Sequence, residues 1–186
     1  MPGRLVYLMG ASGVGKDSLL NGIRTSLDDR FHIMKRWITR QDQTSAESAF
    51  YLTEADFLDK KEQGNFALCW QAHGLYYGID KELDDLLSQG KTVIVNGSRQ
   101  YSPEVLQRYP NVLVINVIAS LDVLRHRLQT RGRESQQQIE QRIRRNHEID
   151  ESLYSRLQQQ GADVKLLDNS GTLSETIQQF LQLIQS

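Results

Sequence analysis

The stretch LVYLMGASGVGKDS, residues 5–18, determines which fold the chain can adopt. Its first five residues form a short apolar run, which is typical of a parallel strand buried on both faces. A glycine-rich segment with the spacing G-x-x-x-x-G-K follows directly, and a helix is predicted to begin at Lys16. A buried strand, a glycine-rich turn and a helix in this order predict a phosphate-binding loop (P-loop).

The chemistry of this loop indicates that it binds a nucleoside triphosphate. Its glycines let successive backbone N–H groups turn toward an anion, and the following helix adds the positive end of its dipole. The Lys16 ammonium can reach the β- and γ-phosphates. We therefore expect ATP on the loop residues, which are Gly10, Ala11, Ser12, Gly13, Val14, Gly15, Lys16, Asp17 and Ser18.

The residue after Lys16 departs from the usual pattern. P-loops generally have Ser or Thr there, whose hydroxyl binds Mg²⁺, but this chain has Asp17 followed by Ser18. A carboxylate is a good Mg²⁺ ligand, although it brings negative charge close to the phosphates. Two interpretations stay open. Asp17 helps to hold Mg²⁺, directly or through water, or Ser18 and water do so while Asp17 caps the helix.

Beyond the loop, strand and helix patterns alternate along the chain. Strands are predicted over 31–37, 93–95, 112–118 and 164–167, with two more in 66–79 around a turn at His73-Gly74. Helices are predicted over 16–27, 81–88, 120–131 and 136–160, and helix caps at Thr53, Ser102 and Thr172. This alternation indicates a three-layer α/β/α fold around a parallel sheet, with ligands at the carboxyl ends of the strands.

Composition limits the class of protein. A chain of 186 residues with 39% hydrophobic and 24% charged residues is typical of one globular domain. No apolar run approaches the ~20 residues of a membrane helix, and the start of the chain lacks a signal-peptide pattern. Cys69 is the only cysteine, so an intrachain disulfide is impossible. We therefore expect a cytoplasmic protein with no membrane partner.

Arginine is concentrated in one segment. Seven arginines lie between Arg125 and Arg145, against two acids, Glu134 and Glu140. Such a run is compatible with a solvated helix face, a nucleic-acid contact or a polyphosphate clamp. The P-loop favours the clamp, because the planar guanidinium forms two parallel hydrogen bonds with phosphate oxygens.

Three further segments resemble motifs of the guanylate kinase family. ITR at 38–40 is similar to the end of its S-x-T-T-R segment, GLYYG at 74–78 to its G-N-Y-Y-G segment, and 125–145 to its lid and following helix. The resemblance covers nearly the whole chain in the right order. It implies a nucleoside-monophosphate-kinase-like domain with a core at about 1–38 and 91–186, an acceptor-binding region at about 39–90 and a lid at about 130–145.

The resemblance also implies roles for residues. Lys16, Arg131 and Arg142 would be catalytic, and Arg131 and Arg133 would close over the ATP phosphates. Arg40 and Tyr77 would contact the acceptor phosphate, and Asn169 matches the family's adenine-side loop. Two family contacts are missing, since an arginine position falls at Gln43 and a tyrosine position at Ala49.

The departures from the family concern the base of the acceptor. The family reads guanine with a Glu where this chain has Leu68, and with acids where it has Asn96. Arg36 and Arg99 replace neutral or acidic family residues. A substrate with more phosphate and no base fits this change, because guanine N–H groups left unpaired in a buried site are costly. We expect Arg36, Asn96 and Arg99 to bind it.

These departures resemble one branch of the family, the ribose 1,5-bisphosphate phosphokinases known from phosphonate breakdown. The matching segments are GKDS at 15–18, WITR at 37–40, VNGSR at 95–99 and RGRE at 131–134. The resemblance implies that ATP phosphorylates ribose 1,5-bisphosphate to 5-phospho-α-D-ribose 1-diphosphate, with Mg²⁺ as cofactor. The implied partners are ATP and a small phosphorylated sugar, without nucleic acid.

Three other functions make different predictions. A guanylate kinase with a variant base site would convert GMP to GDP. A non-catalytic guanylate-kinase-like binding module would be expected to lose the P-loop lysine or lid arginines, yet Lys16, Arg131 and Arg142 are present. A nucleic-acid binder would leave the intact P-loop unexplained and would bind with strong salt dependence.

Overall fold

The computed structural model describes residues 3–40, 49–132 and 134–185, which form two sheets surrounded by helices. Within these ranges, no helix is both long enough and apolar enough to span a bilayer. In chain order the elements are β1 (Arg4–Gly10), α1 (Lys16–Ile23), β2 (Phe31–Ile33), β3 (Arg36–Ile38), β4 (Ala49–Tyr51), α2 (Glu54–Glu62), β5 (Phe66–Ala72), β6 (Leu75–Asp80), α3 (Glu82–Ser88), β7 (Thr92–Asn96), α4 (Ser102–Arg108), β8 (Leu113–Ile118), α5 (Leu121–Arg131), α6 (Gln136–Gln159), β9 (Asp163–Asp168) and α7 (Leu173–Gln185).

The larger sheet is parallel, and β1 lies at its centre. The strand order is β2-β7-β1-β8-β9. Residues 5–9 are all buried, as expected for an inner parallel strand. Leu8 of β1 pairs with Asn96 at the end of β7, so the P-loop and Asn96 leave the sheet at the same edge.

Helices cover both faces of this sheet. Side chains along β1 alternate between the two faces, and both sets are apolar and buried, so each face needs a covering layer. Tyr7 and its same-face neighbours pack in an apolar cluster with residues of α3, α4 and the second half of α6. Val6 and Leu8 pack on the opposite face with residues of α1, α5, α7 and the first half of α6. The predicted three-layer α/β/α arrangement is confirmed.

The smaller sheet has the order β4-β3-β6-β5. The predicted turn between β5 and β6 is confirmed, with positive φ angles of 53° at His73 and 75° at Gly74. His73 is exposed at this turn. In this sheet Trp70 stacks on Tyr77, with ring centroids 5.5 Å apart.

Three sequence predictions need correction. The single strand predicted over 31–37 is two strands, β2 and β3, which belong to different sheets on either side of the buried Met34. The helix predicted over 16–27 ends at Ile23 and continues as a 3₁₀ turn over Arg24–Ser26. Ser102 was predicted to cap α4 but is its first residue, and its hydroxyl donates to the Arg99 carbonyl at 2.7 Å.

Other helix starts are as predicted. Thr53 caps α2, with its hydroxyl accepting from the Asp56 N–H. The capping box predicted before α7 is present, since Thr172 and Glu175 exchange hydrogen bonds between side chains and backbone N–H groups. Phe180 and Ile184, which lie one turn apart on α7, are buried in the core.

Candidate active site

The P-loop joins β1 to α1 at the centre of the parallel sheet. Gly13 and Gly15 have φ angles of 94° and 100°, which L-residues with a side chain rarely adopt. The Lys16 ammonium folds back over the loop and donates to the carbonyl oxygens of Gly10 at 2.7 Å and Ala11 at 3.2 Å. The loop therefore holds its lysine on the side where phosphates are expected.

The charge of Lys16 is finely balanced. The pKa of its ammonium is lowered to about 8, mainly by burial; the Asp17 charge opposes this shift, and the charges of Arg36 and Arg99 contribute to it. Three cationic side chains thus act on each other at one edge of the sheet. A polyphosphate bound among them would stabilise the charged form of Lys16.

Three residues predicted at the site meet at the Asp17 carboxylate. Asn96 Nδ2 donates to Asp17 Oδ1 at 3.0 Å, and an Arg36 Nη2 lies 3.7 Å from the same oxygen. The Arg36 guanidinium also lies over the Tyr77 ring, 5.8 Å from its centroid. The structure therefore brings together residues of the P-loop helix, β3, β6 and β7.

Asn96 has one amide atom without a partner. Its Nδ2 faces Asp17, whereas its Oδ1 is buried and accepts no hydrogen bond from the part of the chain that the structure describes. The residue is only 4% exposed. It lines a cavity of about 20 Å³ with Asp17 and Arg36, which is room for about one water molecule. Buried acceptors of this kind normally have a donor.

Arg99 is held by α6 rather than by Asp17. One guanidinium nitrogen donates to Asp150 Oδ1 at 2.9 Å and another to Asn146 Oδ1 at 2.7 Å. Arg142, Asn146 and Asp150 recur every four residues, so they share one face of α6. That face is turned toward Arg99, and Arg142 itself pairs with Glu134 at 2.6 Å.

The remaining predicted residues are less closely placed. Arg131 ends α5, is exposed, and has a guanidinium nitrogen 4.0 Å from where a Cβ on Gly13 would lie. Arg40 and Ser18 are exposed. Arg133 and Gln43 fall outside the described residues.

Two residues at the site were missed, and a third has an unexpected contact. Arg127 donates to the carbonyl oxygens of Val14 and Asn169, and Thr176 donates to the Asn169 side chain. Asn169, matched by resemblance to an adenine-side loop, donates to Val14 in the P-loop. Arg127 was visible only as one member of the arginine run, and no sequence signal marked Thr176.

The described residues contain no cluster of three or more His, Cys, Asp or Glu side chains arranged to hold a metal ion. The candidate for a protein ligand beside the P-loop is the exposed Asp17 carboxylate. Mg²⁺ in nucleotide sites commonly takes one or two protein ligands and completes its shell with phosphate and water. The residues present therefore fit an ion that arrives with the nucleotide.

Comparison with known proteins agrees with this geometry. The family model described as guanylate kinase matches residues 2–179. The chain is 43% identical to ribose 1,5-bisphosphate phosphokinase PhnN of Pseudomonas fluorescens, across 97% of this chain and 94% of that protein. It is 44% identical to the protein of the same name from Pectobacterium atrosepticum, across 97% and 93%.

A solved structure shows the same fold. The crystal structure of guanylate kinase from Anaplasma phagocytophilum superposes with a TM-score of 0.71 and covers 99% of this chain and 85% of that one, at 16% identity. At this identity the likeness concerns the fold alone. The relatives and the family model together establish that the chain belongs to the guanylate kinase family, in the branch of the ribose 1,5-bisphosphate phosphokinases.

Proposed function

We propose that the protein transfers the γ-phosphoryl group of ATP to the C1 phosphate of ribose 1,5-bisphosphate, releasing ADP and 5-phospho-α-D-ribose 1-diphosphate. The observation that carries this proposal is the Arg36 guanidinium, held by Asp17 and Tyr77 beside the P-loop lysine. It is a phosphate-binding group on the acceptor side of the loop. The named relatives support the same acceptor.

The position expected to read a guanine base carries no polar atom. Leu68 lies in β5, is 1% exposed and packs in the apolar cluster that includes Tyr7 and Leu83. Guanine N–H groups buried here would lose their acceptors, at about 1–3 kcal/mol for each unpaired group. Each such loss corresponds to about 5- to 150-fold in affinity, which favours an acceptor without a base.

Arg36 is suited to one phosphate of a bisphosphate. Its side chain is 21% exposed, and it pairs with Asp17 through a long contact of 3.7 Å. A phosphate dianion offers the guanidinium shorter, bidentate hydrogen bonds than this carboxylate does. Substrate binding would therefore transfer Arg36 from Asp17 to the phosphate. Arg40 and Arg99 are further candidates for the second phosphate.

Asn96 is suited to a sugar hydroxyl. Its Nδ2 is committed to Asp17, so its unpaired Oδ1 can only accept. A ribose hydroxyl can donate a hydrogen bond to this oxygen, whereas a phosphate dianion has no proton to donate. The cavity of about 20 Å³ is too small for a sugar, so the release of Arg36 from Asp17 would also open the space beside Asn96.

The transfer itself needs charge neutralisation more than proton transfer. An oxygen of the C1 phosphate attacks the γ-phosphorus, and the bond from that phosphorus to the β–γ bridging oxygen breaks as ADP leaves. Lys16 would hold the β- and γ-phosphates, and Arg131 would approach them from the end of α5. Arg142 would exchange Glu134 for the transferred group. An acceptor phosphate already ionised at neutral pH needs no general base.

Motion is part of this proposal. We expect the region of about 39–90 and the lid of about 130–145 to close over the sheet, because ATP must be shielded from water until the acceptor is bound. Arg133, outside the described residues, would add a second lid arginine over the ATP phosphates. The ion pair between Arg142 and Glu134 joins two parts of the lid segment and must open during closure.

Mg²⁺ would be held by Asp17, with Ser18 and water as further ligands. When bound, the ion supplies positive charge that shields the β- and γ-phosphates from each other. Asp17 is exposed, and the contacts with Asn96 and Arg36 both use Oδ1. The carboxylate is therefore shared between the acceptor side and the nucleotide side of the site.

The acceptor is tested by incubating the purified protein with Mg-ATP and ribose 1,5-bisphosphate, GMP, ribose 5-phosphate or no acceptor, followed by mass analysis of the products. We expect 5-phosphoribosyl diphosphate from the bisphosphate and no phosphorylated product from the others. A GDP signal from GMP, with the bisphosphate unreacted, would mean that the protein is a guanylate kinase and would contradict the proposal. If neither ADP nor a phosphorylated product forms with any acceptor, the result would favour a non-catalytic module.

The metal assignment is tested with Asp17→Asn and Asp17→Ser. Loss of a carboxylate ligand should raise the Mg²⁺ concentration for half-maximal rate by roughly 10-fold. This is the lower end of the loss in metal affinity that mutations around a metal site typically cause. Asp17→Ser restores the usual P-loop hydroxyl and should raise this Mg²⁺ concentration less than Asp17→Asn does. The rate is measured against free Mg²⁺ at saturating ATP and acceptor. If both variants match the wild type, Asp17 does not hold the ion.

The state of Lys16 predicts a pH dependence. Its pKa of about 8 means that the ammonium is charged at pH 7 and loses its proton as the pH rises. Since kcat/KM reports the free enzyme, kcat/KM for ATP should fall about tenfold per pH unit well above 8. At saturating ATP, kcat should begin to fall only at a higher pH, because bound phosphates favour the charged form of Lys16. A kcat/KM that stays flat to pH 9.5 would contradict this.

A further inference from the structure

The Val14 carbonyl, in the middle of the P-loop, accepts two hydrogen bonds from distant parts of the chain. Arg127 Nη1 of α5 donates to it at 3.0 Å, and Asn169 Nδ2, just after β9, donates at 2.8 Å. Asn169 is 3% exposed, so its amide is not a surface group. One loop carbonyl is thus held by a cation and a buried amide together.

These donors are themselves held in place. Arg127 Nη2 donates to the Asn169 backbone carbonyl at 2.9 Å, so its guanidinium bridges Val14 and Asn169. Thr176 Oγ1 of α7 donates to Asn169 Oδ1 at 2.8 Å, and Thr176 is 1% exposed. This last bond fixes which amide atom faces the loop, because Oδ1 is taken by a donor and Nδ2 is left for Val14.

The orientation of one peptide unit follows from these contacts. In a planar trans peptide the C=O and the N–H point in opposite directions. Holding the Val14 carbonyl outward toward Arg127 and Asn169 therefore turns the Gly15 N–H inward, toward the side where Lys16 lies. The approach is close enough that a Cβ on Gly15 would be 2.4 Å from Asn169 Nδ2.

The same contacts change the strength of that N–H as a donor. Hydrogen bonds to a carbonyl polarise the whole peptide unit, and a cationic donor does so more than a neutral one. The Gly15 N–H is thereby oriented and polarised before any anion arrives. Such a donor suits a nucleotide phosphate oxygen.

We infer that Arg127, Asn169 and Thr176 are positioning residues for ATP, acting as a clamp on the Val14 carbonyl that presents the Gly15 N–H to the phosphates. The inference does not depend on the identity of the phosphate acceptor. It predicts that loss of the clamp weakens the binding of any ligand with the polyphosphate chain of ATP. A role in contacting the adenine would instead affect only the binding of ligands that carry a base.

The test uses inorganic tripolyphosphate, which has the phosphates of ATP and no base, alongside ATP itself. Two variants keep the net charge of the clamp. Arg127→Lys retains the cation but removes the planar pair of Nη donors that bridges the two carbonyls, and Thr176→Val removes the hydroxyl that donates to the Asn169 amide. Arg108→Gln, an exposed arginine at the end of α4, is the control. Dissociation constants of both ligands are measured by calorimetry on the full chain.

We expect Arg127→Lys to weaken ATP and tripolyphosphate alike, by about tenfold, and Thr176→Val to weaken both by about threefold. The control should bind as the wild type does. The downfield shift of the Gly15 amide proton on binding tripolyphosphate, followed by NMR, should shrink in both variants. This readout would not move if the residues only stabilised the fold.

Two results would overturn the inference. If Arg127→Lys weakens ATP but leaves tripolyphosphate unchanged, the residue acts on the base and not on the loop. If either variant lowers the unfolding temperature while both dissociation constants and the Gly15 shift stay at wild-type values, the contacts are structural only. Should Arg127→Lys fail to fold, Thr176→Val with the same two ligands decides the question.

Discussion

The interaction on which the acceptor side depends is the one at the Asp17 carboxylate. Arg36 and Arg99 are close enough to Lys16 that their charges lower the pKa of its ammonium, because like charges repel. Three of the arginines proposed to bind phosphate each pair with a carboxylate: Arg36 with Asp17, Arg99 with Asp150 and Arg142 with Glu134. These pairs keep the arginines ordered, and a phosphate has to compete with a carboxylate for each of them.

Such competition favours ligands rich in phosphate. A phosphate dianion has more charge and more acceptor oxygens than the carboxylate it displaces, whereas a neutral group gains nothing by the exchange. The apolar surroundings of Leu68 act in the same direction, since they offer no hydrogen bonds to a base. In the proposed function, selection for a sugar bisphosphate would therefore depend on two physical effects: arginines paired with carboxylates, and the absence of acceptors for the N–H groups of a base.

The fold was predictable where local rules decide it. The P-loop, the turn at His73-Gly74 and the capping box at Thr172 each follow from residues close together in sequence. The division of 31–37 between two sheets does not, because three-residue strands carry little periodicity and their partners lie far along the chain. Strand β4 was missed for the same reason. Its pairing with β3 joins two short segments on either side of the undescribed residues 41–48.

The site was predictable in its residue types but not in its contacts. Sequence comparison named Asp17, Arg36 and Asn96 separately, and only the structure shows that they meet, since Asp17 and Asn96 are 79 positions apart. The role inferred for Arg127 was beyond sequence reasoning, because that residue acts on a backbone carbonyl, which leaves no trace in side-chain patterns. Asn169 shows the opposite case, in which a resemblance located the residue but not the loop contact it makes.

We propose that Arg36 and Asn96 together form the sugar-phosphate site next to the P-loop. A crystal structure with ribose 1,5-bisphosphate and a non-hydrolysable ATP analogue tests it most directly. We expect a substrate phosphate bound by the Arg36 guanidinium, the contact with Asp17 broken, and a ribose hydroxyl donating to Asn96 Oδ1. A sugar phosphate bound elsewhere, with Arg36 still on Asp17 and Asn96 Oδ1 still unpaired, would contradict it.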